Sequence, residues 1–204
     1  MQFNIDTPEF WEEQYRNDNA NWDIKSATPA FIELLKNTIV FGEVKGDILV
    51  AGSGKGYDAI EAAKQGFKVT AIDFSLSAVQ LTNKLASHEN VKVNLLNEDI
   101  FLLPQEYNNK FDFVYDYTTF CAFSPQRRRD YVKKLSDLLT QNGKVVIILF
   151  PVEKREGGPP FGIDNMETYK LFSEYFSLQY FSRNIKSIKP RRGRELLHVY
   201  KKAK

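Results

Sequence analysis

Residues 47–58 have the sequence DILVAGSGKGYD, in which a short apolar run ends in three glycines at alternate positions. An amphipathic segment follows it, with Ala59, Ile60, Ala62 and Ala63. The pattern predicts a buried strand, a tight turn and a helix whose N-terminal amides point back over the turn. Glycine suits such a turn because it adopts positive φ angles and lets the backbone approach a ligand closely. The stretch therefore predicts the first strand, loop and helix of an α/β ligand-binding fold.

Acidic residues follow the next predicted strands. The second strand ends at Asp73, about twenty residues after the first glycine, where a nucleotide-binding α/β fold places a carboxylate on ribose hydroxyls. Asp99 follows the third strand, and Asp116 and Tyr117 follow the fourth. Ligands of such sheets lie across the carboxyl ends of the strands. These residues are therefore candidate ligand contacts.

Strands and helices alternate along the chain. Helices are predicted over residues 8–17, 29–40, 75–88, 125–139 and 164–175, and strands over 47–51, 67–72, 91–96, 111–115, 144–150, 178–185 and 196–201, with a turn at Asn142-Gly143. This order predicts a Rossmann-like, doubly wound, mostly parallel seven-stranded sheet that ends in an antiparallel hairpin. We expect one domain over residues 1–204, with an N-terminal helical cover (1–42) on a Rossmann-like core (43–204).

Composition narrows the function. The 28 Lys and Arg residues against 26 Asp and Glu give a net charge of only +2, which argues against a chain built mainly to bind nucleic acid. A single cysteine excludes an internal disulfide and a multi-cysteine metal site, and we expect no metal. Neither a signal peptide nor a run of about eighteen apolar residues is present, so a cytoplasmic protein away from membranes is expected.

The strand-end residues allow two kinds of cofactor. A nicotinamide dinucleotide is one candidate. An adenosyl cofactor is favoured, because a second acidic turn at Asp99 suits a hydrogen bond to an adenine amino group. The chain is also too short for the second mononucleotide-binding half of a dinucleotide fold.

Several motifs resemble a known family. The glycine turn, Asp73, the turn at residues 97–100 and the final hairpin are similar to those of Rossmann-like methyltransferases that use S-adenosylmethionine. Other segments resemble the thiopurine methyltransferase superfamily, and within it the thiol and halide methyltransferases: residues 10–13 (FWEE), 22–23 (WD), 52–58 (GSGKGYD), 115–122 (YDYTTFCA) and 157–161 (GGPPF). Thiopurine methyltransferases proper carry an arginine after the aspartate, where this chain has Tyr117. That departure favours a small, soft nucleophile.

The resemblance implies a role for individual residues. It implies that the cofactor is S-adenosylmethionine and that its contacts are Trp11, Tyr15, Trp22, Gly52, Gly54, Asp73, Asp99, Ile100 and Asp116. Asp116 and Tyr117 would line the methyl-transfer centre as catalytic residues, and the walls of the acceptor pocket would be Trp22, Tyr117, Phe120, Phe150 and Phe161.

The implied reaction moves a methyl group from S-adenosylmethionine to a small thiol, thiocyanate, bisulfide or halide by in-line displacement. Such acceptors, as anions, have no proton to lose, so the site needs alignment and exclusion of water more than a general base. His88 and His198, the two histidines, follow no parallel strand and offer no obvious base. Aromatic thiols are an alternative acceptor class. We expect a monomer.

The last segment, residues 183–204, is basic, with Glu195 as its single acid. A nucleic-acid methyltransferase or binding protein would need such a patch, but interleaved stacking aromatics are missing. The segment is either a solvated hairpin, or Arg191, Arg192 and Arg194 lie at the rim of the pocket and steer small anions inward.

Simpler structural interpretations also apply to single residues. Trp11 and Trp22 would serve as core aromatics of the cover, Asp116 as a cap of the turn after strand four, and the GGPPF segment as a rigid turn. Cys121 is interpreted as a small buried side chain, because free cysteine is commonly buried and inert.

Overall fold

The structure is a computed structural model that describes residues 4–203. Within these residues the chain forms seven α-helices and seven β-strands. The chain divides into two compact units, residues 1–103 and 104–204. The first unit contains three β-strands and the second contains four.

The first unit contains the glycine turn. Its elements are α1 (Pro8–Arg16), α2 (Pro29–Leu34), α3 (Thr38–Phe41), β1 (Asp47–Ala51), α4 (Tyr57–Lys64), β2 (Lys68–Asp73), α5 (Leu76–His88) and β3 (Val93–Asn97). Strand β2 lies between β1 and β3 and is parallel to both. The apolar run of β1 is almost fully buried, as its continuous hydrophobic sequence predicts.

The predicted helix over residues 29–40 is two helices. The Asn37 side chain accepts hydrogen bonds from the N–H groups of Ile39 (2.9 Å) and Val40 (3.3 Å), so it caps α3 and ends the preceding helical segment. Phe41 then packs against Phe31 and Phe67, with ring centroids 6.2 and 5.2 Å apart. The break therefore lets two short helices share one aromatic core.

The second unit contains the hairpin. Its elements are β4 (Phe111–Tyr117), α6 (Arg128–Leu138), β5 (Leu139–Leu149), α7 (Asn165–Phe172), β6 (Phe176–Ser182) and β7 (Leu196–Lys202). Strands β4 and β5 are parallel, whereas β7 runs antiparallel to both β5 and β6. This arrangement confirms the predicted Rossmann-like, mostly parallel sheet with an antiparallel C-terminal hairpin.

The predicted turn at Asn142-Gly143 is wrong. Strand β5 begins at Leu139, directly after α6, and includes both residues. Phe111 of β4 pairs with Leu139 of β5, whereas Phe113, two residues further along β4, pairs with Lys144, five residues further along β5. The turn-forming sequence is therefore accommodated as an irregularity of the ladder, in the way that extra residues form a bulge.

Aromatic side chains pack α7 against strands β6 and β7 of the second unit. Phe172 of α7 stacks on Tyr200 of β7 with centroids 4.5 Å apart and contacts Phe176 at 5.8 Å.

Among residues 4–203, no helix is both long and apolar enough to cross a bilayer.

Candidate active site

The glycine turn requires its glycines. Gly52, Gly54 and Gly56 have φ angles of 52°, 55° and 79°, in the left-handed region that favours glycine. A Cβ at Gly56 would lie 2.2 Å from Thr82 Cγ2, and one at Gly54 would lie 3.1 Å from the Tyr15 hydroxyl. Gly52 is exposed. The turn is thus held close against Tyr15 and Thr82, and the Gly52 backbone is available to a ligand.

Asp73 fastens this turn to the end of β2. Its two carboxylate oxygens accept hydrogen bonds from Gly54 N–H (2.8 Å) and Ser75 N–H (3.0 Å). Burial raises the pKa of Asp73 to about 6, the two amide hydrogen bonds oppose that shift, and the charge of Glu12 adds to it. Each carboxylate oxygen can accept a second hydrogen bond. The Asp73 carboxylate therefore has acceptor sites left for a pair of ribose hydroxyls.

The aromatic residues of the cover form one cluster. Trp22 makes edge-to-face contacts with Trp11 and Tyr15, at centroid distances of 5.1 and 5.6 Å. Burial raises the pKa of the Tyr15 phenol, which therefore stays protonated at neutral pH. Aromatic faces of this kind attract a cation such as a sulfonium. The structure thus brings together Trp11, Tyr15 and Trp22, and their contact with the cofactor stays a prediction.

Glu12 attaches the cover to the segment after Asp73. Its carboxylate accepts hydrogen bonds from the Ser75 hydroxyl (2.6 Å) and from Ser77 N–H (3.2 Å). Ser75 in turn caps α5 by accepting a hydrogen bond from Ala78 N–H. Helix α1 is therefore held to the N-terminus of α5. The sequence identified the FWEE motif but not this contact.

Two more contacts attach the cover to the glycine turn and to α4. Lys55, between Gly54 and Gly56, forms a 2.8 Å ion pair with Asp23. Asp58, in the first turn of α4, accepts hydrogen bonds from both the backbone N–H (2.6 Å) and the hydroxyl (2.8 Å) of Thr28. Asp23 of the WD motif and Asp58 of the GSGKGYD motif therefore both join the N-terminal segment to the region of the glycine turn.

The turn after β3 is also ordered by its polar side chains. Asp99 accepts a hydrogen bond from Phe101 N–H at 3.0 Å and caps a short 3-10 helix over residues 100–102. The Asn97 amide donates to the carbonyls of Asp73 (3.2 Å) and Phe74 (3.0 Å). Ile100 is buried. The turn is therefore joined to the end of β2, and adenine binding by Asp99 and Ile100 stays a prediction.

In the second unit, Asp116 organises the turn after β4. Its carboxylate is fully buried and accepts hydrogen bonds from Tyr131 OH (2.7 Å), Thr119 N–H (3.1 Å) and Phe120 N–H (3.4 Å). Burial raises its pKa to about 6. These contacts match the interpretation of Asp116 as a turn cap, and a direct catalytic or cofactor contact stays a prediction.

The turn that Asp116 holds is strained. Thr118 has a φ of 69°, a left-handed conformation that a β-branched residue rarely adopts. Such a conformation costs on the order of 1–3 kcal/mol and persists where surrounding contacts enforce it, commonly at functional sites. The strained residue directly follows Tyr117, so the turn fixes the direction in which the Tyr117 backbone leaves β4.

Tyr117 lies in a cluster of aromatic and charged side chains. Its hydroxyl donates a 2.6 Å hydrogen bond to Glu195 Oε1. The Arg191 guanidinium lies over the rings of Tyr117 and Phe150, 5.0 and 4.9 Å from their centroids. Arg191 and Glu195 are almost completely buried, at 5% and 3% exposure. The structure thus joins two predicted pocket residues, Tyr117 and Phe150, through two charged residues of the last hairpin.

The three arginines of the hairpin have different surroundings. Arg191 is buried, Arg192 is exposed, and Arg194 forms a two-pronged ion pair with Glu153, at 2.7 and 2.6 Å. The sequence suggested them as one set, and it did not identify Glu195 as a site residue. Glu195 could have been singled out as the single acid in a basic segment, since such an acid tends to have a cationic or hydroxyl partner.

Phe120 and Phe161 differ in environment. Phe120 is 1% exposed and packs against Phe172 at 5.8 Å, so in this structure it is a core residue. Phe161 is half-buried, donates its N–H to the Cys121 carbonyl (2.8 Å), and covers Gly158, where a Cβ would meet the Phe161 ring at 2.5 Å. The GGPPF segment is therefore a packed turn that presents Phe161, and the pocket role of both phenylalanines stays a prediction.

The remaining reactive groups are unsuited to catalysis. Cys121 is buried, its thiol donates to the Thr118 carbonyl, and burial raises the thiol pKa to about 12, in agreement with a small buried side chain. Burial lowers the pKa of His198 to about 4, and His88 lies exposed at the end of α5. Across residues 4–203, no group of three or more His, Cys, Asp or Glu side chains is arranged to hold a metal ion.

The fold is the Rossmann-like fold of methyltransferases that depend on S-adenosylmethionine. A 1,6-didemethyltoxoflavin N1-methyltransferase from Burkholderia thailandensis, solved with S-adenosylhomocysteine, superposes with a TM-score of 0.72 over 97% of this chain and 87% of its own, at 18% identity. The family model for thiopurine S-methyltransferase matches residues 6–201, and the chain belongs to that family.

Two curated plant relatives and a bacterial one cover most of the chain. A probable thiol methyltransferase 2 of Arabidopsis thaliana is 32% identical over 95% of this chain and 84% of the relative. Thiocyanate methyltransferase 1 of the same plant is 29% identical over 94% and 84%. A thiopurine S-methyltransferase of Vibrio atlanticus is 24% identical over 84% and 83%.

Proposed function

We propose that this enzyme transfers the methyl group of S-adenosylmethionine to a small thiol, bisulfide, thiocyanate or halide. The observation that carries the proposal is the Arg191 guanidinium, buried against the rings of Tyr117 and Phe150. Tyr117 ends β4 and Phe150 directly follows β5, where ligands of this fold lie. A cation between aromatic walls favours a small, polarisable anion.

The residues of the first unit fit the cofactor. Asp73 has acceptor sites for the ribose hydroxyls, the exposed Gly52 backbone suits the methionine end, and the cluster of Trp11, Tyr15 and Trp22 supplies aromatic faces for the sulfonium. When bound, S-adenosylmethionine supplies a methyl group activated on a positively charged sulfur and leaves as S-adenosylhomocysteine.

The chain's own residues position the acceptor. In methyl transfer to an anion, a cation and an anion neutralise each other, so excluding water from the acceptor accelerates the displacement. Phe150 and Tyr117 provide apolar walls, and Arg191 holds the anion by its charge without supplying or removing a proton. The strained Thr118 turn fixes Tyr117, and such positioning contributes to catalysis by alignment.

Aromatic thiols are the second candidate class. The relative named thiopurine S-methyltransferase and the aromatic walls support it. Against a nucleic-acid substrate, the basic hairpin is interrupted: Arg191 is buried and Arg194 is paired with Glu153. The hairpin therefore lacks the continuous exposed basic face that phosphate binding requires.

An acceptor panel tests the proposal. The protein is incubated with S-adenosylmethionine and, separately, bisulfide, an alkyl thiol, thiocyanate, iodide, an aryl thiol and RNA, and release of S-adenosylhomocysteine is measured. We expect the highest kcat/KM with a small thiol or anion. Release of S-adenosylhomocysteine in the incubation with RNA and in no other would contradict the proposal. A kcat/KM for the aryl thiol much higher than that for the small acceptors would favour the second class.

A further inference from the structure

The Tyr117–Glu195 hydrogen bond is not needed for methyl transfer to an anion. Glu195 is a carboxylate with only 3% exposure, and its Oε1 accepts a 2.6 Å hydrogen bond from the Tyr117 hydroxyl. Burying a carboxylate beside an anion site costs free energy and repels the anion. An acceptor that binds in its protonated form needs a base, and this carboxylate can accept a proton.

A neutral thiol is such an acceptor. Thiols of the cysteine type have a pKa of about 8.5, so near neutral pH most of the acceptor still holds its proton. A phenol oxygen can accept a hydrogen bond from a thiol while its own proton is donated to a carboxylate. Tyr117 has the required donor contact already, and its ring is half-buried at the end of β4.

We propose that Tyr117 and Glu195 form a proton relay that deprotonates thiol acceptors, an inference that rests on the proposed function. The thiol proton moves to the Tyr117 oxygen as the Tyr117 proton moves to Glu195 Oε1. The thiol sulfur forms a bond to the methyl carbon, and the bond between that carbon and the sulfonium sulfur breaks, its electron pair staying on S-adenosylhomocysteine. The proton on Glu195 is then released to water, so the sum is thiol plus S-adenosylmethionine giving methyl thioether, S-adenosylhomocysteine and one proton.

The surrounding charges support the relay. Arg191, on the loop before β7, lies over the Tyr117 ring and stabilises the thiolate as it forms. Arg194 lies over the Phe150 ring and is paired with Glu153. Tyr117 touches the acceptor in this scheme and is catalytic, whereas Glu195 acts through Tyr117 as a positioning residue that receives its proton.

The relay predicts different effects on two acceptors. In Glu195→Gln, and likewise in Tyr117→Phe, kcat/KM for an alkyl thiol should fall at least about tenfold more than kcat/KM for thiocyanate, since loss of a general base costs on the order of 10²–10⁴-fold. The matched control is Glu89→Gln, which removes a partly exposed carboxylate paired with Lys64 in the first unit and should change neither value.

The pH dependence separates a relay from a purely structural role. The wild type reacts with neutral thiol, so its kcat/KM should change little between about pH 8 and pH 6.5, whereas the variants depend on free thiolate, which decreases up to tenfold per pH unit. The ratio of wild type to Glu195→Gln should therefore rise on acidification for the thiol and stay constant for thiocyanate. Calorimetry with S-adenosylmethionine alone should give equal affinities for both proteins, because the contact of Glu195 is with Tyr117.

These measurements separate failure of the relay from failure of the proposed methyl transfer. If the wild type releases S-adenosylhomocysteine with neither acceptor, the proposed function itself fails. If the wild type uses both acceptors but the variants lose both equally, or the thiol ratio does not change with pH, the relay is overturned and the proposed function stands. Weaker cofactor binding by Glu195→Gln would also overturn the relay, because it would place Glu195 in the cofactor site.

Discussion

Asp73 in the first unit and Asp116 in the second are chemically similar and structurally different. Each lies near the end of a parallel strand, and burial raises the pKa of each to about 6. Asp73 binds two backbone N–H groups and is 8% exposed, whereas Asp116 is fully buried and has Tyr131 OH as a further donor. The same residue type thus supports an internal turn in the second unit, whereas in the first unit we propose that it also contacts the cofactor.

Asp116 is expected to stabilise the folded second unit. In Asp116→Ala the buried Tyr131 hydroxyl and two turn amides lose their acceptor, and each unsatisfied buried group costs about 1–3 kcal/mol. We expect the free energy of unfolding to fall by about 3 kcal/mol or more, measured by denaturant titration. Asp137→Ala, which removes an exposed i,i+4 pair with Lys133, should change it by less than about 0.5 kcal/mol. A loss below about 1 kcal/mol in Asp116→Ala would contradict the assignment of Asp116 as the support of the turn.

Asp73→Ala should mainly affect ligand binding. We expect the affinity for S-adenosylmethionine to fall at least about tenfold, because charge-assisted hydrogen bonds to the ribose are lost. Calorimetry measures this, with Asp47→Ala, at the start of β1 and paired with the exposed Lys68, as the control. An unchanged dissociation constant would remove Asp73 from the cofactor site.

The protonation state of Asp73 should control its contribution to cofactor binding. Its carboxylate form accepts hydroxyl hydrogen bonds and is attracted to the positively charged cofactor, and it is depleted below a pKa of about 6. The dissociation constant of the wild type should therefore be nearly constant above about pH 7 and rise as pH falls through about 6, by up to about tenfold per unit at lower pH. Asp73→Asn should bind weakly with no such dependence. Equal slopes for both proteins between about pH 7 and pH 5 would assign the titration to another group.

Exposed charge on the C-terminal hairpin should change the reaction rate only weakly. Of the three hairpin arginines, Arg192 is exposed, Arg191 is buried and Arg194 is paired with Glu153, so steering of anions should be weak. Raising inert salt should lower kcat/KM for thiocyanate by about twofold, and Arg192→Ala should reduce that dependence. A wild-type kcat/KM that does not fall with salt would exclude steering.

The sequence predicted the central strands well because their signals are local. Strand β1 was predicted over its observed residues, since a buried parallel strand is a continuous apolar run bounded here by glycine. The break at Asn37 was missed because asparagine within an apolar helical pattern does not distinguish a cap from an interior residue. The ladder irregularity in β5 was missed because Asn-Gly is also a strong turn signal.

Sequence spacing indicated which residues lie at the strand ends, and it did not indicate how their side chains pack. The glycine turn and the length of strand two placed Asp73 at the end of β2, but its hydrogen bond with Gly54 N–H was not predicted. The contacts of Glu12 with Ser75, of Asp58 with Thr28 and of Glu195 with Tyr117 join residues about 30 to 80 positions apart. No local pattern encodes such pairs, because they depend on how loops from separate elements pack.

We propose that this chain moves a methyl group from S-adenosylmethionine to the sulfur of a small thiol. Incubation with S-adenosylmethionine labelled in its methyl group and an alkyl thiol, followed by mass spectrometry of the volatile product, measures that transfer directly. We predict a labelled methyl thioether in equal amount to the S-adenosylhomocysteine released. S-adenosylhomocysteine without labelled thioether, or no turnover with any sulfur or halide acceptor, would rule out this reaction.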